Sequence, residues 1–379
     1  MIDNECVGSG QSSGDSHKAK LSFSSVTPVD VQVRNLSVQV ESSTRQWKDR
    51  FPSFRKSTSD LETPQTKCLL THIDADFPHG TLTGILGSRG SGKTTLLNVL
   101  SERMYDSNLS VQGERLHNNS TSLSSISHAY VGQTDSLLPT VTVHETLTFA
   151  ASLLLPTSIS RIQRAKLVDN IIVELGLKDC SNSCVGDGVR HMGCSSGGLR
   201  LISLGIELLR NPSVLFLEEP TTGLDPTSAF HIVTKLKSLT QKGVTVIMTL
   251  HQPRSDVFRM LDRVILLSQG HSLYAGVASE AVPWFERLVR PLELHRNPAD
   301  YLIDIGAINV CMGAAEETAP SRISRLIAAW KSESAIRFPP LKSKLTISPV
   351  DPHDVIKAAC WSCHTWTYPD IPEAEGKQS

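Results

Sequence analysis

The sequence predicts an α/β protein with a largely parallel sheet, and three observations carry that expectation. From residue 68 to about 276, strand-length apolar runs alternate with stretches of helical periodicity. Between one such strand and one such helix lies Gly87-Ser88-Arg89-Gly90-Ser91-Gly92-Lys93-Thr94, which fits the phosphate-binding pattern G-x-x-x-x-G-K-[ST]. A second apolar run, Val214-Leu215-Phe216-Leu217, ends in paired carboxylates, Glu218 and Glu219.

Taken in chain order, residues 8 to 28 are rich in Ser and Gly and poor in large apolar groups, so residues 1–29 are expected to be a disordered lead. Val31 to Val40 alternates apolar and polar residues and reads as an edge strand. Residues 43–66 carry charges, Ser, Thr and two prolines, the composition of an inserted surface loop. Its basic half (Arg45, Lys48, Arg50, Arg55, Lys56) is read as solvated, with contact to lipid headgroups or a partner as the alternative. Leu82 to Leu86 reads as a buried strand and Thr94 to Leu100 as a helix. A strand is expected over 127–132, and Ala165, Val168, Ile172 and Leu175 mark one face of a helix. Ala229, Ile232, Val233, Leu236 and Leu239 mark another, and Val244–Met248 and Val264–Leu267 are two more strands. After Ile305 the pattern weakens. Residues 319–331 could form one helix within an otherwise poorly structured tail, 306–379. No internal repeat is seen, so one nucleotide domain is expected rather than a tandem pair.

Length and composition bound the function. The 379 residues suffice for one large or two modest domains, and a formal net charge of −1 gives no support for nucleic acid held by bulk charge. The start, Met1-Ile2-Asp3-Asn4-Glu5, lacks the basic and apolar regions of a signal peptide, and the eight cysteines are scattered. A reducing setting with free thiols is the expectation. No run approaches the ~18 apolar residues of a membrane span, so this chain alone is not expected to cross a bilayer.

The glycine-rich segment answers a physical problem. A triphosphate is strongly anionic and must be held with its terminal phosphate accessible. Glycines at this spacing let backbone N–H groups converge on phosphate oxygens, and the following helix directs its positive end at the same place. Lys93 can reach the β- and γ-phosphates, and the Thr94 hydroxyl can ligate Mg²⁺. Metal-assisted phosphoryl transfer also needs one acid near the metal and another to orient water, which the pair Glu218–Glu219 can supply.

Further motifs narrow the class. Ser195-Ser196-Gly197-Gly198-Leu199-Arg200, followed by a helix-length segment and the acidic strand, resembles the signature loop of ABC ATPases. Gln133 sits where those proteins have their Q-loop, and His251 at their switch histidine. The segments Leu138–Leu147, His251–Phe258 and Asn297–Tyr301 are similar to the eukaryotic G subfamily (White-like) of ABC transporters, specifically its half-transporters. The resemblance covers roughly residues 30 to 305.

That resemblance implies a P-loop NTPase core of ABC ATPase type, with an N-terminal antiparallel β part and a helical signature subdomain over about 134–200. Two such domains would meet head to tail with ATP between them. Gly87, Ser88, Arg89, Gly90, Ser91, Gly92, Lys93, Thr94 and Thr95 would cradle the phosphates. Thr94, Gln133 and Glu218 would hold Mg²⁺. Ser196, Gly197 and Gly198 would contact the γ-phosphate on the partner, and Asp225 would lie at the seam. Glu219 would be the general base, His251 the γ-phosphate sensor, and Gln133 a relay to a membrane domain. The implied partners are a second nucleotide-binding domain and a membrane-spanning domain absent from this chain, placing it on the cytosolic face of a membrane.

The chain departs from the pattern in four ways. Glu218 stands where the family usually has Asp. Leu199 replaces Gln or Glu. The first strand ends in valines where an adenine-stacking aromatic is common, with Trp47 a poor substitute by spacing. The family's six membrane helices are missing, implying a fragment, a truncated product or a subunit of a larger assembly. The leading expectation is the motor of an exporter of sterols, lipids or hydrophobic compounds. The alternatives are a catalytically weakened nucleotide-binding regulator or inactive fragment, and a soluble ABC ATPase. Cys360-Trp361-Ser362-Cys363-His364 fits C-x-x-C-H but is read as a chance arrangement, and Cys180, Cys184 and Cys194 as packing residues.

Overall fold

The computed structural model describes residues 26–41, 66–104, 108–118, 120–121, 123, 126–186, 193–307 and 319–340. Most of the expected lead, the inserted loop except Thr66, and the C-x-x-C-H segment lie outside the described residues.

Two sheets form the frame. In the first, β1 (Val31–Glu41) lies between β2 (Thr66–Phe77) and β4 (Leu109–His117), antiparallel to both. The expected edge strand is therefore a central one. Alternation of apolar and polar residues shows that one face is buried, but says nothing about whether one or two neighbours pair with the backbone. The buried apolar side chains are Val31, Val33, Leu36 and Val38, which cannot share one face of an unbroken strand. A bulge resolves this: the pairing register shifts between Val33 and Leu36, and Asn35 takes φ 51°. Opposite the bulge a Cβ on Gly113 would lie 2.5 Å from the Asn35 carbonyl oxygen, so only glycine fits there.

The second sheet has the order β5-β6-β7-β3-β8-β9. Its strands are β5 (His128–Val131), β6 (Val214–Leu217), β7 (Thr245–Thr249), β3 (Leu82–Gly87), β8 (Arg263–Ser268) and β9 (His271–Val277). The first five run parallel and β9 returns antiparallel to β8. β3, β6 and β7 are buried at every residue, as continuous apolar runs in a covered parallel sheet should be. α1 (Lys93–Leu100) follows β3, and α5 (Pro226–Thr240) and α6 (Ser255–Met260) follow β6 and β7.

Three helices form a separate packed group: α2 (Val143–Leu154), α3 (Arg161–Leu175) and α4 (Ser196–Leu208). Capping boxes start the first two, Thr142 with Glu145 and Ser160 with Gln163, each satisfying amides that a helix leaves orphaned. The buried face of α3 is Val168, Ile171, Ile172 and Leu175, while the expected member Ala165 is exposed. The buried stripe begins one turn later than the sequence predicts, at Val168.

The C-terminal part also differs from expectation. After α7 (Ala278–Leu288) and α8 (Pro298–Gly306), α9 (Ala319–Arg337) runs six residues beyond the expected 331 and packs on β9. Trp330 is 2 % exposed, with ring centroids 5.2 Å from Tyr274 and 5.6 Å from Trp284. Buried Arg322 donates to the carbonyls of Ile305 and Ala307, closing the C-terminal end of α8. Residues 319–340 thus belong to the folded domain rather than to a poorly structured tail. Among the described residues no helix is long and apolar enough to cross a membrane.

Candidate active site

The parallel register fixes what meets at the carboxyl edge of the sheet. Leu217 pairs with Met248, and Ile85 with Thr249, on adjacent strands. The segments leaving β3, β6 and β7 therefore emerge side by side: the glycine-rich loop, the Glu218–Glu219 pair, and Leu250–His251. This is where ligands bind in open α/β sheets.

The loop is shaped by three left-handed glycines, Gly87 (φ 148°), Gly90 (φ 77°) and Gly92 (φ 103°). A Cβ on Gly87 would lie 2.3 Å from the Leu267 carbonyl oxygen, so the backbone there presses against β8. Around Gly90 there is nothing within 4 Å of a Cβ position, and the outer side of the loop is open. Lys93 is buried, its Nζ donating to the carbonyls of Gly87 (2.9 Å) and Ser88 (3.0 Å). Burial pushes its ammonium below the usual lysine range, and the Glu219 carboxylate counteracts that shift. The first-turn amides of α1 lack intrahelical acceptors, and with the helix dipole they present positive potential at the same spot. An open cradle, a lysine folded along it and a helix N-terminus form a donor set that fits a polyphosphate.

The two acids divide between two hydrogen-bond networks. Thr94 donates its hydroxyl to Glu218 Oε1 (2.7 Å), and the Tyr130 hydroxyl meets Glu218 Oε2 (3.1 Å). Glu219 Oε2 accepts from Gln133 Nε2 (3.1 Å) and Thr222 Oγ1 (3.0 Å). Glu219 sits at φ 45°, a region costly for a non-glycine residue, and its amide donates to Thr249 Oγ1 (2.9 Å). The glycine-rich loop, Glu218, Glu219 and Gln133 are thus assembled within one chain.

The remaining residues occupy a neighbouring surface. Ser195 caps α4, accepting from the Gly198 amide (3.1 Å), and Ser196 is exposed in the first turn. Gly197 packs against α5, where its Cβ would stand 2.8 Å from Ser228 Cβ. Asp225 caps α5 through the amides of Thr227 (3.1 Å) and Ser228 (3.0 Å), and bonding from Ser228 holds its carboxyl below the usual range. Arg200, one turn along α4, is buried and donates to the carbonyl of Gly132 (2.7 Å), to that of Gln133, and to Asp135 (3.1 Å). The signature turn is therefore tied to the Gln133 loop by one guanidinium. His251 is exposed just beyond β7. Sequence reasoning missed Tyr130, Thr222 and Thr249, and gave no role to Ser195 or Arg200 within the segment Ser195–Arg200. The sequence signal for Ser195 and Arg200 is their place at the two ends of the signature-like segment.

The fold and this site define a nucleotide-binding domain of the ATP-binding-cassette type. Residues 70–222 match the family described as "ABC transporter". The chain is 37% identical over 285 residues to ABC transporter G family member 5 of Oryza sativa subsp. japonica, covering 74% of this chain and 35% of that protein. It is 38% identical over 315 residues to ABC transporter G family member 14 of Arabidopsis thaliana, covering 80% of this chain and 47% of that one. With ATP-binding cassette sub-family G member 8 of Rattus norvegicus the identity is 39%, covering 68% and 37%. The structure of cbiO1 from Clostridium perfringens, part of the ABC transporter complex cbiONQ, shares the fold at a TM-score of 0.52 and 22% identity, over 69% of this chain and 94% of that one. The chain carries an ABC-type ATPase domain, and G-family ABC transporters are its relatives. It spans between 35% and 47% of the length of the three curated relatives named here.

Proposed function

We propose that this chain binds Mg-ATP and hydrolyses it as the motor of a membrane exporter of sterols, other lipids or hydrophobic compounds. The observation that carries the reading is the assembly of two separately held carboxylates around one phosphate loop, Glu218 on Thr94 and Glu219 on Gln133.

In this reading the loop amides and Lys93 bind the phosphates, and Thr94, Gln133 and Glu218 would hold Mg²⁺, which supplies charge neutralisation on the transferred phosphoryl group. Glu219 accepts the proton of the attacking water, while Gln133 and Thr222 restrict where its carboxylate can swing. His251 orients toward the terminal phosphate from the end of β7. The first turn of α4, where Ser196 is exposed beside Gly197 and Gly198, supports a second nucleotide domain as partner, since the positive end of the helix dipole offers a further anion site there. Asp225 lies on the same surface. The names of the G-family relatives support a transmembrane partner domain, and through it a position at a membrane surface.

ATP binding and turnover in Lys93→Ala and Glu219→Gln variants test this. Lys93→Ala is expected to lose most nucleotide affinity, and Glu219→Gln to bind normally but turn over at least about a hundredfold more slowly. Unchanged affinity in Lys93→Ala removes the phosphate loop from the account.

A further inference from the structure

The metal-side acid of this chain carries one methylene more than aspartate, and the structure holds both ends of the longer carboxylate. Oε1 accepts from Thr94 at 2.7 Å, and Oε2 lies 3.1 Å from the hydroxyl of Tyr130 on β5. The same hydroxyl lies 3.0 Å from Asn98 Oδ1. A phenol has one hydrogen, and a carboxylate outbids a neutral amide for it. Asn98, turned about its amide plane, then donates into the phenol oxygen, so all three groups are satisfied in one chain of bonds from Asn98 through Tyr130 to Glu218. Thr94 and Asn98 stand four residues apart, one turn along the same face of α1. That single helix face therefore holds Glu218 twice, directly through Thr94 and indirectly through Tyr130. The Tyr130 ring is itself seated by the guanidinium of Arg103, 4.3 Å from its centroid.

We propose that Tyr130 is a positioning residue for Glu218: its hydroxyl anchors Oε2 so that Oε1 is presented beside Thr94 to the divalent cation. The inference rests on the Mg-nucleotide reading above. A glutamate has one more rotatable bond than an aspartate, and unrestrained it would spread its carboxylate over several rotamers. Mg²⁺ tolerates little error in ligand placement, so that spread would cost metal affinity. The phenol removes the freedom that the added methylene introduces. An aspartate on the same backbone would draw its carboxylate back by about one C–C bond, ~1.5 Å, from both hydroxyls.

The test is a double-mutant cycle on the full chain with Tyr130→Phe, Glu218→Asp and the double variant, with Asn98→Ala as a second way to loosen the phenol. Binding of a fluorescent ATP analogue is titrated against MgCl₂ and repeated in EDTA. Tyr130→Phe keeps the ring and removes only the hydroxyl. It is expected to raise the Mg²⁺ concentration at half-maximal binding about tenfold, the worth of one hydrogen bond to a charged group. Affinity in EDTA should stay within about twofold, and in the Glu218→Asp background Tyr130→Phe should shift the Mg²⁺ requirement less than about twofold. Asn98→Ala should move the Mg²⁺ requirement in the same direction by a smaller factor. An unchanged Mg²⁺ requirement in Tyr130→Phe, or an equal shift with and without Glu218, overturns the inference while leaving nucleotide binding intact. Failure of the unaltered chain to bind the analogue overturns the Mg-nucleotide reading, and this inference with it.

Discussion

The backbone amide of Glu219 donates to the hydroxyl of Thr249, 2.9 Å away on the neighbouring strand. That bond holds a glutamate at φ 45°, a left-handed conformation that costs about 1–3 kcal/mol and persists only where the surroundings impose it. It sets the direction in which the carboxylate leaves the sheet. Thr249→Val keeps the shape of the buried side chain and removes the acceptor. Turnover is expected to fall about tenfold or more with nucleotide affinity within about twofold, and denaturant unfolding should show a loss of about 1–3 kcal/mol. Unaltered turnover would dissociate the backbone conformation from catalysis.

The glycines of the phosphate loop should differ in their tolerance of a methyl group. At Gly87 a Cβ would meet the Leu267 carbonyl at 2.3 Å, whereas at Gly90 it meets nothing within 4 Å. Gly87→Ala must displace backbone and is expected to destabilise the domain by more than about 3 kcal/mol, with loss of nucleotide binding. Gly90→Ala carries only the left-handed strain of about 1–2 kcal/mol. Urea unfolding curves of the two variants check the order.

Gly197 and Ser228 connect the signature turn to the start of α5, with a Cβ on Gly197 2.8 Å from both Ser228 Cβ and Oγ. Gly197→Ala should therefore abolish turnover while single-domain nucleotide binding persists. Ser228→Gly, which makes room, should restore part of the turnover when combined with it. A double variant no better than Gly197→Ala would show that steric contact is not the cause.

His117 gives the fold an acid-sensitive element. It is fully buried at the end of β4, and burial, with Arg115 nearby, lowers its pKa to about 3. An unfolded histidine titrates near 6.5, so between about pH 6.5 and 3 the unfolded chain binds more protons than the folded one. Stability then rises with pH through this window, and the contribution of His117 is complete above about 6.5. Its share of the slope approaches about 1.4 kcal/mol per pH unit in mid-window. His117→Leu should flatten the low-pH arm of a stability–pH curve relative to the unaltered chain.

The helix α9 should behave as part of the domain. Trp330, packed against Tyr274, Trp284 and Phe338, fills the space beside β9. Trp330→Ala is expected to cost about 3–5 kcal/mol in denaturant unfolding. A loss below about 1 kcal/mol would mean that the helix contributes little to the core.

Local signals were legible where the chemistry is local. The glycine spacing before Lys93, the apolar run ending at Glu218, and the periodicity of α5 are each short-range patterns imposed by backbone geometry, and the structure bears these out. The resemblance added the order of Gln133, the signature turn and His251. Less legible were features made by pairing between distant segments. β2 carries a period-two run, Ile73, Ala75 and Phe77, but nothing in that run or in β4 names β1 as the strand that pairs with both. The bulge at Asn35 breaks the alternation that a period-two reading assumes. Tyr130 lies within the expected strand 127–132 and Arg200 within the signature-like segment, and nothing local shows that the one reaches Glu218 and the other the Gln133 loop.

The amino-acid order alone determined the class of the protein: an alternating α/β core, a phosphate loop on a strand-to-helix turn, and two adjacent acids at the end of another strand. Those features follow from dihedral preferences and charge within a few residues. Only the tertiary structure decided that β1 is central, that α9 closes the core, and that Glu218 is held by Thr94 and Tyr130 while Glu219 is held by Gln133, Thr222 and Thr249. Apart from the local turn bond of Thr222, these contacts join residues 30 to 124 positions apart, and their geometry exists only once the parallel register has brought the strand ends together.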